Sequence, residues 1–373
     1  MTRMKDLQFA NTIATLRKQK GLTQDEVASF VGVSKAAVSK WETGLSYPDI
    51  LLLPKLATFF NLSIDELLGY KPQMTKENIQ KLYAELSKDF AVKPFDEVYT
   101  RIKNMIDEYY SCFPLLMQMA VLLLNYQHVA GDLQQEIIRK AIKLCQRIEE
   151  NSEDQRLAYQ AGSLEAHCQL FLQNPKRVLE LLGDGVEPYT GNEIIVANAY
   201  QQLQQPEKAK ETLQVSMYQN ILGVLGIAPN YMMMYVDQPE VFDEVVLRME
   251  GMMQTFDIYN LSFNNALIIY LTAAQGYMMQ KNEKKAIEML KKYIKASESI
   301  VFPITLHGDA FFDLIDEWVM RELDLGPNAP RDEQTIKMSL ISGITENPIL
   351  KPLILRPEVK TMIENLKHTL GCD

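Results

Sequence analysis

Between residues 21 and 44 the chain carries a run of backbone punctuation that leaves few folds open. Thr23-Gln24-Asp25-Glu26 has the spacing of a capping box, in which a hydroxyl and a carboxylate satisfy the free N–H groups at a helix start. Val27, Ala28 and Val31 follow as an apolar stripe at helical spacing. Gly32 then permits a left-handed turn, Val33 packs beneath it, and Ser34 caps a further helix through about Thr43. So short a turn sets its two helices nearly perpendicular. The flanks follow the same grammar. A helix over about 7–20, with Ile13, Ala14 and Leu16 on one side, stops at Gly21; Asp49 caps a helix with Leu53, Leu56, Ala57 and Phe60 inward; and Ser63-Ile-Asp-Glu66 opens a last short helix that ends at Gly69. Five short helices are expected in residues 1–70.

Beyond Gly69, a hinge is expected at 71–74, where Pro72 interrupts the pattern and Thr75 can cap the next helix. Residues 75–373 then show helical rather than alternating periodicity in almost every window, so the fold class is all-α. The expected helices run approximately over 76–90, 95–110, 113–130, 134–150, 154–173, 175–183, 192–204, 206–221, 239–255, 260–281, 283–298, 308–323, 331–343 and 357–370.

Charge separates the same two regions. The whole chain carries -10, but residues 1–70 hold eight Lys or Arg against seven acids, whereas the remainder holds 30 against 41. Phosphates repel the acidic remainder, so any contact with nucleic acid must come from the first seventy residues. Cys112, Cys145, Cys168 and Cys372 have neither CxxC nor zinc-ligand spacing, which points to reduced thiols, no metal and no cofactor. His167 and Cys168 are helix neighbours about 100° apart, so they do not form a nucleophile and base pair. No 18-residue apolar run exists: the stretch Phe113 to Leu124 is short and contains Gln118, as a buried helix does. The first residues, MTRMKDLQFANTIATLRKQK, lack an apolar signal core, and a cytoplasmic protein away from membranes is expected.

At this level the segment LRKQKGLTQDEVASFVGVSKAAVSKWETGLSYPDILLLPKLATFFNLSIDELL resembles the Xre, or Cro and cI-type, helix-turn-helix family over its whole length. Gln24, the glycine turn, Ser34, Val38, Trp41-Glu42, Gly44, Pro48 and Leu67-Leu68 fall in the family's order. The resemblance implies a lambda-repressor-like DNA-binding domain that binds a double-stranded operator as a homodimer, with its third helix in the major groove. Base-reading positions are then Lys35, Ala36, Ala37, Ser39 and Lys40, with the two lysines suited to guanine O6 and N7 and an alanine methyl to thymine. Phosphate contacts fall to Gln24, Ser34, Thr43, Arg17 and Tyr47. Val38 and Trp41 point into the core.

The long remainder contains a recurring layout. Asn174-Pro-Lys-Arg-Val-Leu-Glu-Leu-Leu182, Gln205-Pro-Glu-Lys-Ala-Lys-Glu-Thr-Leu213 and Asn282-Glu-Lys-Lys-Ala-Ile-Glu-Met-Leu290 each place a polar break before an amphipathic helix. This resembles degenerate tetratricopeptide repeats, stacked helix pairs that present a concave face; a non-repeating bundle is the alternative. An Xre domain followed by such repeats is similar to Gram-positive regulators that sense short peptides. The resemblance implies a peptide effector held by asparagines, with Asn125, Asn198, Asn260, Asn264 and Asn265 as counterparts. The 19 methionines admit two uses, filling irregular core or anchoring an apolar ligand at Met232 and Met233. A constitutive repressor whose repeats only dimerise or bind a protein is the competing reading. An enzyme fused to a DNA-binding domain needs converging catalytic groups, and the sequence offers none.

Overall fold

A computed structural model describes residues 9–70 and 73–372. Lys71 and Pro72, on which the expected hinge falls, lie outside the described residues, as does Leu7 of the first helix. No strand occurs among the described residues; a single isolated bridge joins Thr305 to Asn328. The chain divides into two compact units, Met1–Ile79 with Pro94–Leu182, and Gln80–Lys93 with Gly183–Asp373. No helix among the described residues is long and apolar enough to cross a membrane.

The N-terminal segment forms helices α1 (Phe9–Gln19), α2 (Gln24–Val31), α3 (Lys35–Glu42), α4 (Leu53–Phe60) and α5 (Ile64–Leu68). Both capping boxes are closed: Thr23 accepts from the Glu26 N–H while Glu26 returns to the Thr23 backbone, and Ser63 and Glu66 do the same. Gly32 adopts φ 85°, where a Cβ is disfavoured, and its N–H and that of Val33 both bond Ala28 O at 2.9 Å. Ser34 accepts from Ala37 N. Asp49 caps a 3-10 turn, Ile50–Leu52, rather than α4 itself, because Pro54 enters the first turn of α4 and the chain must tighten before it. Phe9, Ile13, Val27, Val31, Val38, Trp41, Leu56, Phe60 and Leu67 close one apolar core.

Helix α6 (Lys76–Val92) follows and belongs to the second unit from Gln80 onward, while the first unit continues with Phe95–Glu108, Phe113–Tyr126, Gln134–Asn151, Gln155–Phe171 and Pro175–Leu182. Phe113–Tyr126 is buried along most of its length, Gln118 included.

The second unit is built on Pro206–Met234, Pro239–Thr255, Phe263–Met279 and Glu283–Glu298, with Pro357–Leu370 against the last of these. The recurring layout has a structural signature. Gln173, Gln204 and Lys281, each just before a polar break, all take left-handed backbone at φ 57°, 57° and 61°. The next residue in each case donates to the carbonyl five back: Asn174 to Gln169, Gln205 to Tyr200 and Asn282 to Tyr277, at 2.9, 2.9 and 2.8 Å. Three identical turns therefore close three helix hairpins, and the chain is a helical-repeat protein.

Two expectations need correction here. The helix expected to end at 221 runs to Met234 with Pro229 inside it. Proline removes one hydrogen bond to the preceding turn, yet the helix survives because Leu225, Ala228 and Met232 are buried along one face and hold both halves in place. Met232 is thereby a core residue with no exposed surface, packed in the cluster of Phe242, Tyr270 and Leu290, and is not an anchor for a ligand.

Candidate nucleic-acid interface

Helix α3 owes its placement to both of its faces. Val38 and Trp41, 0% and 4% exposed, face the core. On the other side Ser34, Lys35, Ala36 and Lys40 are exposed, Ser39 is half-exposed, and Ala37 is half-buried against the core. The outward row thus holds four of the five positions expected to meet bases. Lys35 Nζ pairs with Asp25 Oδ2 of α2 at 2.8 Å, and both side chains are open to solvent. Such a bridge is worth little and leaves the ammonium free to exchange partners. Thr43, exposed just beyond α3, turns its hydroxyl back to Ser39 O and Lys40 O at 2.9 and 3.2 Å. Tyr47 is half-exposed and tilts its ring over Phe9, 6.2 Å between centroids.

Arg17 and Gln24, expected at phosphates, have a different employment. Arg17 Nε and Nη2 reach the two oxygens of Glu42 at 2.5 and 2.9 Å, and its Nη1 donates to Leu22 O at 2.7 Å. Gln24 Nε2 donates to the same carboxylate at 2.9 Å. The Arg17 and Glu42 side chains are 13% and 7% exposed. This corrects the expectation for Arg17: each of its three nitrogens donates inside the protein, which turns the fork toward Glu42 and Leu22 rather than outward. Burial by itself raises the Glu42 carboxyl, but the hydrogen bonds from Arg17 and Gln24 and the positive charges of Arg17 and Lys18 outweigh it and hold the group below its ordinary value. One side chain from each of three helices, α1, α2 and α3, meets at this point.

The sequence names Glu42 only beside Trp41 in the family's order; its role as the acceptor of Arg17 and Gln24 was missed, although a signal was present. An acid in the last turn of a helix opposes the helix dipole, an unfavourable placement unless a cation compensates it. The compensating Arg17 is 25 residues away.

The asparagines expected at an effector sit in different local settings. Asn198 is exposed on Asn192–Gln202. Asn260 is exposed and donates to Asp257 Oδ2 at 2.7 Å; Asn265 donates to Ser262 Oγ at 3.0 Å, a local turn contact in each case. Asn264 is exposed at the start of Phe263–Met279, Met233 is half-buried, and Asn125 is half-buried in the other unit. The two asparagine–loop bonds serve the backbone around 257–265, the ordinary employment of asparagine at helix ends.

Comparison with known proteins agrees with the geometry. Residues 13–67 match the family described as Helix-turn-helix. The chain is 36% identical over 83 residues to the HTH-type transcriptional activator BcrR of Enterococcus faecalis, a match covering 21% of this chain and 41% of the relative. It is 31% identical over 102 residues to the transcriptional repressor RstR of Vibrio cholerae serotype O1, covering 27% of this chain and 86% of that one. A second RstR of Vibrio cholerae and YonR of Bacillus subtilis are matched over only 55% and 56% of their own lengths. Among solved structures, PlcR of Bacillus thuringiensis in complex with the peptide PapR7 and DNA aligns over 85% of this chain and 99% of its own, at 14% identity and a TM-score of 0.28. The chain belongs to the helix-turn-helix family of DNA-binding transcriptional regulators.

Proposed function

We propose that this chain is a sequence-specific regulator that binds a palindromic operator as a homodimer, reading bases with Lys35, Ala36, Ser39 and Lys40 of α3 and with the Ala37 methyl at its edge. The observation that carries the reading is the two-sided α3, with Val38, Trp41 and Glu42 locked inward and a row of short or cationic side chains left outward. Ser34, Thr43 and Tyr47, with the N–H groups at the start of α2, are the phosphate-side contacts, supported by their exposure around that row. Residues 1–70 act as the DNA-binding portion and 75–373 as the part that dimerises and responds to an effector, a short peptide by the family resemblance. The repeat hairpins support this division, since stacked pairs present more surface than dimerisation requires.

Selection of binding sites from random duplexes, followed by titration in rising salt, tests the reading. A two-fold symmetric site with half-sites about one helical turn apart is expected, and affinity that falls steeply, as for roughly 6–10 phosphate contacts. Sedimentation that shows a monomer both free and on the selected duplex overturns the homodimer. An operator affinity unmoved by any co-purified or added peptide favours the constitutive repressor.

A further inference from the structure

The second unit contains a cavity of about 460 Å³ between α6 and the segments 302–304 and 325–336, in the size range of small-molecule sites. Its walls are largely apolar: Tyr83 and Ala84 of α6 face Phe302, Ile304, Leu325 and Ile336. The wall is tied together from α6, where Gln80 Nε2 donates to Asp324 O at 2.8 Å and Tyr83 OH to Pro330 O at 2.9 Å. Four ionised groups stand in the lining, Lys88, Arg331, Asp332 and Glu333. The acids are both committed. Asp332 caps the helix Glu333–Thr345 by accepting from Thr335 N and from the Thr335 hydroxyl, and Glu333 pairs with Lys337 at 2.7 Å. Lys337 itself lies over the Phe302 ring, 4.7 Å from its centroid. Lys88 and Arg331 have no ion pair or side-chain hydrogen bond among the described residues. In a chain with ten more acids than bases, two cations in the wall of an apolar cavity without an ion pair of their own stand out.

We propose that this cavity binds a small molecule with an apolar body ending in a carboxylate, the body against Phe302, Leu325 and Ile336 and the carboxylate between Arg331 and Lys88. Arginine suits this role because its planar fork meets a carboxylate with two parallel hydrogen bonds. The site stands on these contacts and not on the proposed operator reading. Its consequence for regulation lies in α6, whose residues from Gln80 onward group with this unit while those up to Ile79 group with the other.

Calorimetry on the full chain with octanoate, octanamide and the dipeptide Leu-Phe with a free or amidated C-terminus tests the proposal. Octanoate or the free dipeptide, whichever source supplies the acid, is expected to bind, and its uncharged counterpart at least ~10-fold more weakly, the loss of one charge-assisted contact. The double variant Lys88→Gln, Arg331→Gln is expected to lose a similar factor for the acid and nothing for the amide, with an unchanged circular dichroism spectrum and Tm. Ala84→Phe, which fills the cavity from the rim, is expected to abolish both. Absence of heat from both acids at millimolar concentration overturns the site, and so does acid binding that the double variant leaves intact.

Discussion

Glu42→Ala isolates the charge network that orients α3. The substitution removes the acceptor of three hydrogen bonds and strands Arg17, whose side chain is 13% exposed, with only Leu22 O for company. Breaking a fully buried pair from one side costs about 3–5 kcal/mol, and the residual exposure of Arg17 reduces the expected loss to about 2–4 kcal/mol. In a domain of this size each kcal/mol moves Tm by roughly 4–8 °C, so a fall of at least ~8 °C is expected. Trp41 reports it: the residue is buried beside Glu42, and in a Trp318→Phe background it is the sole tryptophan of the chain. Arg17→Met should cost about as much, while the pair Arg17→Met, Glu42→Leu should recover most of the loss, since two well-packed apolar groups leave no orphaned charge. The double variant should also retain operator affinity. The reasoning fails if Glu42→Ala costs under about 1 kcal/mol, or if the double variant regains its Tm but loses DNA, which would return Arg17 to the phosphate backbone.

Acid should weaken the same domain in a defined window. Glu42, Glu26 and Glu66 all have lowered carboxyl values, in the first case against burial and in the others through backbone N–H and hydroxyl donors of their capping boxes. The stability they contribute is fully present above the unfolded value of 4.5 and is lost as pH falls below it, a decline that Trp41 emission in urea titrations should show. Lys35→Ala should cost about 1–3 kcal/mol at a matched operator and relax one base pair per half-site, measured by titration against single-base variants. Asp25→Asn, which frees Lys35 from its pair, should raise affinity slightly and steepen the salt dependence. In the second unit Met232→Ala should cost about 2–5 kcal/mol, and Met234→Ala, 78% exposed, no more than about 0.5, by thermal melts. Gly276→Ala would set a Cβ 2.2 Å from Phe242 Cζ and should destabilise by about 1–3 kcal/mol.

What was legible beforehand was local. The Thr23 and Ser63 boxes, the Gly32 turn and the Ser34 cap depend on residues within four positions of one another, and each formed as its spacing implies. The inward set of Val38 and Trp41 came with the family resemblance, and the three repeat breaks at 174, 205 and 282 with the recurring layout of their segments. Other features depend on partners far away in the chain. Arg17 looks like a surface cation until α3 brings Glu42 to it, and Gln24 likewise. Pro229 argues for a break unless Phe242 and its neighbours are known to hold Met232. The asparagines make a related point: residue type suggests hydrogen bonding, but only the folded chain shows that Asp257 and Ser262 are the partners of Asn260 and Asn265.

The two-sided build of α3 has a bearing on how such a protein changes over time. The three residues that hold the helix, Val38, Trp41 and Glu42, are not among those it shows outward. Lys35, Ala36, Ser39 and Lys40 can therefore be exchanged at a cost near that of any surface substitution, within about 0.5 kcal/mol. A gene duplicate can acquire a new operator in single steps without passing through an unfolded ancestor. The same separation makes the helix a place to rewrite target choice by design, one outward residue at a time, on a frame that Arg17, Gln24 and Glu42 keep still.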